Sequence, residues 1–247
     1  MVSIMRSHFK LCTFDITNTL LKFQLPVGEQ YAKIGRIYGV ERDPKLLTAA
    51  FLHNWKVMNS DHPNYGRSTG LTSQFWWKEM VRRVFYAENC QITHEQLDSI
   101  SGHLYEIYKT ETCWKVLPGA AKLLENLNKS DAILGVISNF DERLECVLSS
   151  TGLKSYFSFI LASYVVQTAK PEKKIFDMAL DQIPGVESSD AIHVGDNVKL
   201  DYLAAKAAGW NALLITNSEV TCDHGNLVDQ KDIAHDVDEI EKYILNQ

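Results

Sequence analysis

Three observations predict an α/β fold: a parallel sheet with helices on both faces, interrupted by one all-helical block. Apolar, strand-like runs fall at residues 9–14, 133–138, 158–163, 191–195 and 211–215. Helical patterns lie between most of them, and strands alternating with helices of about ten residues build βαβ units. Residues 22–110, by contrast, contain several helical patterns and no convincing strand. Near-continuous apolar runs such as Ala132-Ile-Leu-Gly-Val-Ile137 suit strands covered on both faces.

The first strand, Phe9–Phe14, ends at Asp15 and opens into Ile16-Thr17-Asn18-Thr19-Leu20. In the helical block, Glu29–Tyr38, Pro44–Met58, Thr72–Ala87 and Thr93–Lys109 space their apolar positions at helical intervals. Asp43-Pro44 is a helix start, and Thr93 with Gln96 three residues later has the capping-box pattern. Asp61-His-Pro-Asn-Tyr-Gly-Arg67 reads as a loop, and Phe75-Trp76-Trp77 begins a helix. Further on, helices are expected at Pro118–Leu127, Leu144–Leu153, Glu172–Ile183 and Lys199–Ala208. Pro118 and Pro171 stand at helix entries and Gly209 at a helix exit, where each residue's backbone preference belongs. Asp236–Leu245 closes the chain as a short helix. Residues 1–20 and 111–247 therefore form a discontinuous core domain, with 21–110 inserted as a helical domain.

The 247 residues, 45% hydrophobic and 23% charged, describe an ordinary globular protein with room for one good core and a satellite domain. A net charge of −6 argues against wholesale nucleic-acid binding. Residues 22–110 carry eleven Lys/Arg against nine Asp/Glu, net +2, which leaves −8 in the remainder. A relatively positive insert beside an acidic core suits a small anionic substrate, although scattered solvated charges give the same totals. Five dispersed cysteines without a C-x-x-C pair fit a reducing compartment. Met1–His8 lacks the apolar stretch of a secretory signal, and no run approaches a bilayer span. The expectation is a cytoplasmic protein with no membrane partner; the pattern leaves its oligomeric state open.

Four polar stations recur at strand ends or helix starts: Asp15, Ser138-Asn139, Lys170-Pro171, and Asp196 with Asp201. In open α/β sheets, ligands bind outside the carboxyl ends of the strands, which is where three of these stations fall. Asp15-Ile-Thr-Asn-Thr-Leu20, Ile137-Ser-Asn-Phe-Asp141 and Gly195-Asp-Asn-Val-Lys-Leu-Asp201, with Lys170 between the last two, resemble the four motifs of the haloacid dehalogenase (HAD) superfamily. The resemblance spans roughly residues 9–216.

That resemblance implies a Rossmann-like core with a helical C1 cap, and a Mg2+-dependent phosphatase acting on a small phosphorylated substrate. Asp15 would be the nucleophile, since a carboxylate attacking phosphorus divides one hard hydrolysis into two easier steps. Asp15, Asp196 and the Thr17 backbone carbonyl would hold the metal, whose hard-oxygen preference they suit. Asp201 would bind it directly, bind it through water, or stabilise the following helix start. Ser138 and Asn139 would grip phosphoryl oxygens, and Lys170 would neutralise charge on nucleophile and phosphoryl group. Asn18 suits a left-handed turn position, and Thr19 is expected to bond back across the loop. His193 reads as a satisfied core histidine. Tyr65 and Arg67, flanking Gly66, would form a specificity loop in the cap, with Arg67 pairing a second anionic group.

Thr17 departs from the pattern, because HAD phosphatases usually place a general acid/base aspartate there. A threonine hydroxyl hardly ionises near pH 7, and losing a positioned acid–base group typically costs about 10²–10⁴ in rate. Three alternatives follow: activity confined to good leaving groups, a substitute acid, or a catalytically impaired binding protein. Carbon–halogen hydrolysis is a further alternative, since dehalogenases also lack that aspartate; the metal-binding pattern of Gly195–Asp201 weighs against it.

Overall fold

The computed structural model describes residues 7–86, 92–216 and 227–245, which fall into two compact units. Cys90, Cys222 and the last residue of the helix expected at Thr72–Ala87 lie outside the described residues. The first unit comprises residues 1–22, 116–139 and 152–247; the second comprises 23–115 and 140–151.

In chain order the elements are β1 (Leu11–Phe14), β2 (Leu21–Phe23), α1 (Val27–Ile37), α2 (Pro44–Asp61), α3 (Ser73–Tyr86), α4 (His94–Ile107), β3 (Trp114–Val116), α5 (Ala120–Lys129) and β4 (Ile133–Ser138). They continue with α6 (Leu144–Ser150), β5 (Phe159–Ala162), α7 (Ser163–Val166), α8 (Lys173–Asp181), β6 (Ala191–Gly195), α9 (Ala204–Ala207), β7 (Asn211–Ile215), β8 (Ile233–Ala234) and α10 (Val237–Leu245).

The first unit is built on a six-stranded parallel sheet in the order β5-β4-β1-β6-β7-β8. Every residue of β1 and β6 is buried, as expected of central strands covered on both faces. Full burial of each such Leu, Ile or Phe contributes roughly 1.5–3 kcal/mol, and these strands anchor a core that includes Leu11, Ile137, Phe176, Trp210 and Leu214. Gly135 faces Phe159 in the β4–β5 register, where an added Cβ would come within 2.2 Å of the ring. At the last strand, buried Asp232 accepts bonds from the hydroxyls of Tyr202 (2.9 Å) and Tyr243 (2.7 Å), tying α10 to the sheet edge. β1 lies between β4 and β6, while β5 and β7 extend the sheet outward in opposite directions. The order therefore reverses at β1, and the crevice beyond its carboxyl end is where such folds bind ligands.

The second unit is helical. Asp43 caps α2 by accepting from the Lys45 N–H at 2.8 Å, and Thr93 and Gln96 close the expected capping box on α4. Fully buried Trp76 anchors an aromatic cluster with Trp55, Tyr65 and Trp77, their ring centroids 5.0–5.6 Å from its own.

The observed partition differs from the sequence expectation at α6. The expected core bounds, 111–247, include the helix at Leu144–Leu153, yet residues 140–151 group with the helical unit. The reason is local: Arg143, 5% exposed, lies between the rings of Tyr105 (4.5 Å) and Trp77 (4.9 Å). Its guanidinium makes a bidentate pair with Asp141 at 2.6 and 2.9 Å, and Trp77 Nε1 donates to the same carboxylate at 2.6 Å. The helix expected at Lys199–Ala208 also differs, since residues 198–203 form a wider π-type turn before α9. Among the described residues, no helix is long and apolar enough to cross a membrane.

Candidate active site

The carboxyl ends of β1, β4 and β6 bring most of the polar stations together. Parallel pairing sets Phe14 level with Val136 and with Val194, so the chain leaves all three strands at similar height. Asp15 follows β1 directly and is fixed through its backbone N–H, which donates to Val194 O at 2.9 Å. The loop then turns through Asn18, whose φ of 59° is the left-handed region that asparagine tolerates better than most residues.

Lys170 is the hub. Its Nζ, almost fully buried, donates to Asp15 Oδ1 (2.8 Å), Asp201 Oδ1 (2.6 Å) and Ile137 O (2.8 Å). The backbone of Lys170 is held just as firmly: its N–H donates to Asn139 Oδ1 and its carbonyl accepts from Asn139 Nδ2, both at 2.8 Å. The Asn139 carboxamide thereby places the lysine; the expected phosphoryl contact is one for its backbone N–H. Ser138 ends β4 at 2% exposure.

Asp201 reaches back from the π-type turn to the end of β6. Its Oδ2 accepts the Asn197 N–H at 2.8 Å, and Oδ1 contacts Lys170 and His193 Nε2, the latter at 3.2 Å. Gly195 makes this approach possible, because a Cβ there would lie 2.3 Å from Asp201 Cγ. A π-type turn beside a functional cluster is a recurring combination. Asp196 faces solvent and accepts from Asn18 Nδ2 at 3.1 Å.

The electrostatics follow from two carboxylates sharing one ammonium, with a third carboxylate close by. Burial pushes the Asp15 carboxyl up and Asp201 adds to the rise, against the pull of Lys170. Burial opposes the charged form of Asp201 too, but Lys170 and His193 hold it well below the usual carboxylate range. Burial likewise disfavours the Lys170 ammonium; Asp15 and Asp201 outweigh it and raise the pKa. Asp196 is pushed up to about 6 by partial desolvation and by the adjacent Asp15 charge. His193 is held below its ordinary value by burial and by Lys170. With Lys170 charged and His193 neutral, the ionised trio would carry two uncompensated negative charges.

Oxygen atoms of Asp15, Asp196 and Asp201 all lie within 4.8 Å of one another. That spacing and hard-oxygen chemistry fit a small divalent cation, whose ligands stand at about 2.1 Å for Mg2+. Thr17, two residues beyond Asp15 and partly exposed, shares the same loop.

Two expected cap residues do not behave as a matched pair. Tyr65 is 8% exposed and packs into the aromatic cluster, its ring 5.5 Å from Trp76. Positive φ at Asn64, Tyr65 and Gly66 turns it inward, whereas Arg67 is exposed. Thr19 Oγ1 does not bond back across the loop and has no hydrogen-bond partner among the described residues. Sequence reasoning also passed over Asp141, Glu142 and Arg143. Three consecutive charges beginning at Asp141, the last residue of the motif II stretch, were the available signal, but spacing alone could not show that Asp141 and Arg143 pair in a buried setting.

Comparison with known proteins defines the class. The haloacid dehalogenase-like hydrolase family model matches residues 9–209, and the chain belongs to that family. Among its relatives, the rhythmically expressed gene 2 protein of Drosophila melanogaster is 40% identical over 217 residues, covering 85% of this chain and 84% of that protein. Haloacid dehalogenase-like hydrolase domain-containing protein 3 of Mus musculus is 37% identical over 214 residues, covering 87% and 84%. Solved structures share the fold at lower identity. The putative HAD-hydrolase YfnB from Bacillus subtilis, bound to magnesium, aligns with a TM-score of 0.69 at 16% identity, covering 97% of this chain and 99% of that one. A 2-haloacid dehalogenase from Pseudomonas syringae pv. Tomato aligns at 0.67 and 21%, covering 95% and 97%.

Proposed function

We propose that this HAD-like hydrolase is a Mg2+-dependent phosphatase of small anionic substrates, working through an aspartyl-phosphate on Asp15. One observation carries the reading: Asp15 shares Lys170 with Asp201 on one side and lies beside Asp196 on the other. Asp15, Asp196 and the Thr17 carbonyl would ligate the cation, with Asp201 completing or bracing the site. Bound Mg2+ would neutralise the repulsion between carboxylate and phosphoryl oxygens. Lys170 would hold Oδ1 of the nucleophile, leaving Oδ2 to attack phosphorus as the leaving-group oxygen departs with its electron pair. Ser138 and the Asn139 N–H would bind phosphoryl oxygens, and water would then cleave the acyl-phosphate. The helical unit would act as the C1 cap, with Arg67 a candidate for reading a second anionic group. A cytoplasmic setting is consistent with the chain's composition.

Thr17 supports a second reading, in which the pocket binds a phosphorylated ligand without turnover. The test is phosphate release from an activated aryl phosphate, with and without Mg2+, in wild type, Asp15→Asn and Thr17→Asp. The phosphatase reading expects Mg2+-dependent release that disappears in Asp15→Asn; equal rates in the two would remove Asp15 as nucleophile. No wild-type turnover, with large activity gained in Thr17→Asp, would favour the binding protein. Halide release from a 2-haloacid that is insensitive to chelation would point to a dehalogenase instead.

A further inference from the structure

His193 is fully buried in β6, and its position in the register is directly opposite Thr13 of β1. The reaction proposed above makes no use of it, yet its ring touches three of the groups that surround the nucleophile. Nδ1 lies 2.9 Å from Thr13 Oγ1, and Nε2 lies 3.2 Å from Asp201 Oδ1 and 3.5 Å from Lys170 Nζ. Phe176 packs edge-on against the imidazole at 5.5 Å between centroids and fixes its plane.

Counting hydrogens decides the direction of these bonds. An ammonium has three, and those of Lys170 go to Asp15, Asp201 and Ile137 O. None remains for His193 Nε2, and an ionised Asp201 can only accept. The hydrogen between Nε2 and Asp201 therefore belongs to the imidazole. In a neutral ring Nδ1 is then the acceptor, and the Thr13 hydroxyl, 2.9 Å from Nδ1 against 3.3 Å from Ile192 O, supplies its hydrogen.

We propose that His193 is a positioning residue. Locked by Thr13 as the Nε2–H tautomer, it donates to Asp201 Oδ1 and fixes the carboxylate that aims Lys170 at Asp15. A neutral donor suits this place: it orients Asp201 without adding a second cation that would compete with Lys170. Supporting partners behind catalytic or metal-binding groups typically account for about 10- to 100-fold in activity or affinity. The kinetic part of the test rests on the Asp15 reading; the spectroscopic part does not.

The experiment has two arms. In metal-free wild-type protein, long-range 1H–15N correlation of the His193 side chain should show a protonated Nε2 and an unprotonated Nδ1. Thr13→Val should abolish that pattern or put it in exchange with the other tautomer. A wild-type Nδ1–H form, or a tautomer indifferent to Thr13→Val, overturns the proposal whether or not phosphate is ever released. The second arm compares His193→Gln, whose terminal amide can still donate to Asp201, with His193→Leu, which fills similar space without a donor. His193→Leu should lower kcat on an aryl phosphate by about 10- to 100-fold with KM nearly unchanged, and His193→Gln should recover most of that loss. Equal kinetics in the two folded variants would reduce His193 to packing and refute the positioning role. Absence of wild-type turnover would refute the phosphatase reading alone, and the tautomer measurement would still decide this one.

Discussion

Replacing Lys170 by methionine should destabilise the core unit far more than an average substitution, and removing the Asp15 charge as well should recover part of the loss. Methionine keeps the apolar stem, so the change isolates the ammonium. Three bonds disappear: two to carboxylates and one to Ile137 O. Hydrogen bonds to charged groups contribute about 1.5–3 kcal/mol each, and an orphaned buried acceptor costs about 1–3 kcal/mol. Breaking a buried pair by removing one partner costs about 3–5 kcal/mol in measured cases, so about 4 kcal/mol is the expected net loss.

In a unit of this size, 1 kcal/mol moves Tm by about 2–4 °C, which gives a fall of about 8–16 °C. The assay is urea denaturation and thermal melting at pH 7 with a chelator, because Mg2+ would substitute for the missing charge. Asp15→Asn alone should be neutral or mildly stabilising, since burial already disfavours its ionised form. The double variant should be more stable than the sum of the two changes by about 2 kcal/mol, a coupling typical of groups in direct contact. Strict additivity, or a loss below about 1 kcal/mol in Lys170→Met, would refute the view that this lysine compensates a buried excess of negative charge.

Asp196 gives a pH signature. Its folded pKa of about 6 lies above the ordinary carboxylate value, so the metal-free native state takes up protons first. Stability should rise as pH falls from about 6 to about 4, by less than about 1 kcal/mol because the group faces solvent. Over the same window the apparent Mg2+ affinity, followed by isothermal titration, should drop as protons compete; a flat profile would count against Asp196 as a ligand. Gly195→Ala drives a Cβ into the Asp201 carboxylate, so chemical denaturation should report a loss of about 1–3 kcal/mol together with weaker Mg2+ binding. Wild-type behaviour in both would show that the close approach is unnecessary. In the helical unit, Arg143→Met leaves Asp141, at 0% exposure, without its guanidinium partner. Thermal melting should show a loss of about 3–5 kcal/mol, eased by a second change of Asp141→Asn. Failure of that second change to help would argue against a charge-based origin.

The sheet was legible because its central strands are long enough for an uninterrupted apolar run to register, as in Ile133–Ser138 and Ala191–Gly195. β2, β3 and β8 have two or three residues each, too few for any period to appear. Asp15 and Asp196 stand out as polar residues following apolar runs, whereas Lys170 and Asp201, which follow no strand directly, were picked out by their likeness to the HAD motifs. What each side chain holds was less readable. Nothing in the spacing shows that the Asn139 carboxamide clasps Lys170 across 31 residues. Tyr65 looks like a loop residue until three successive positive φ angles bury it. For α6, apolar spacing marks a face without naming its partner. The partner is set by Arg143 and the two rings around it, which lie far away in sequence.

Converging carboxylates are costly to build, and the fold shows how the cost is carried. The backbone at Asp15 and Asp196 is fixed where it leaves paired, fully buried strands, and Asp201 is tied to that end of the sheet by bonds from the Asn197 N–H and Lys170 Nζ. Lys170 meets part of the charge, and Asn18 and Asn197 satisfy individual oxygens with neutral N–H donors. Neutral donors remove hydrogen-bond strain and leave the net charge in place. The arrangement is thus rigid, hydrogen-bonded and still electron-rich, which is the condition under which a divalent cation gains most by entering and a carboxylate is best presented to an electrophile. Had the residues been selected for stability alone, a second lysine or an asparagine at position 196 would have relieved the repulsion. The retained excess is the physical argument that the cluster exists to hold something positive.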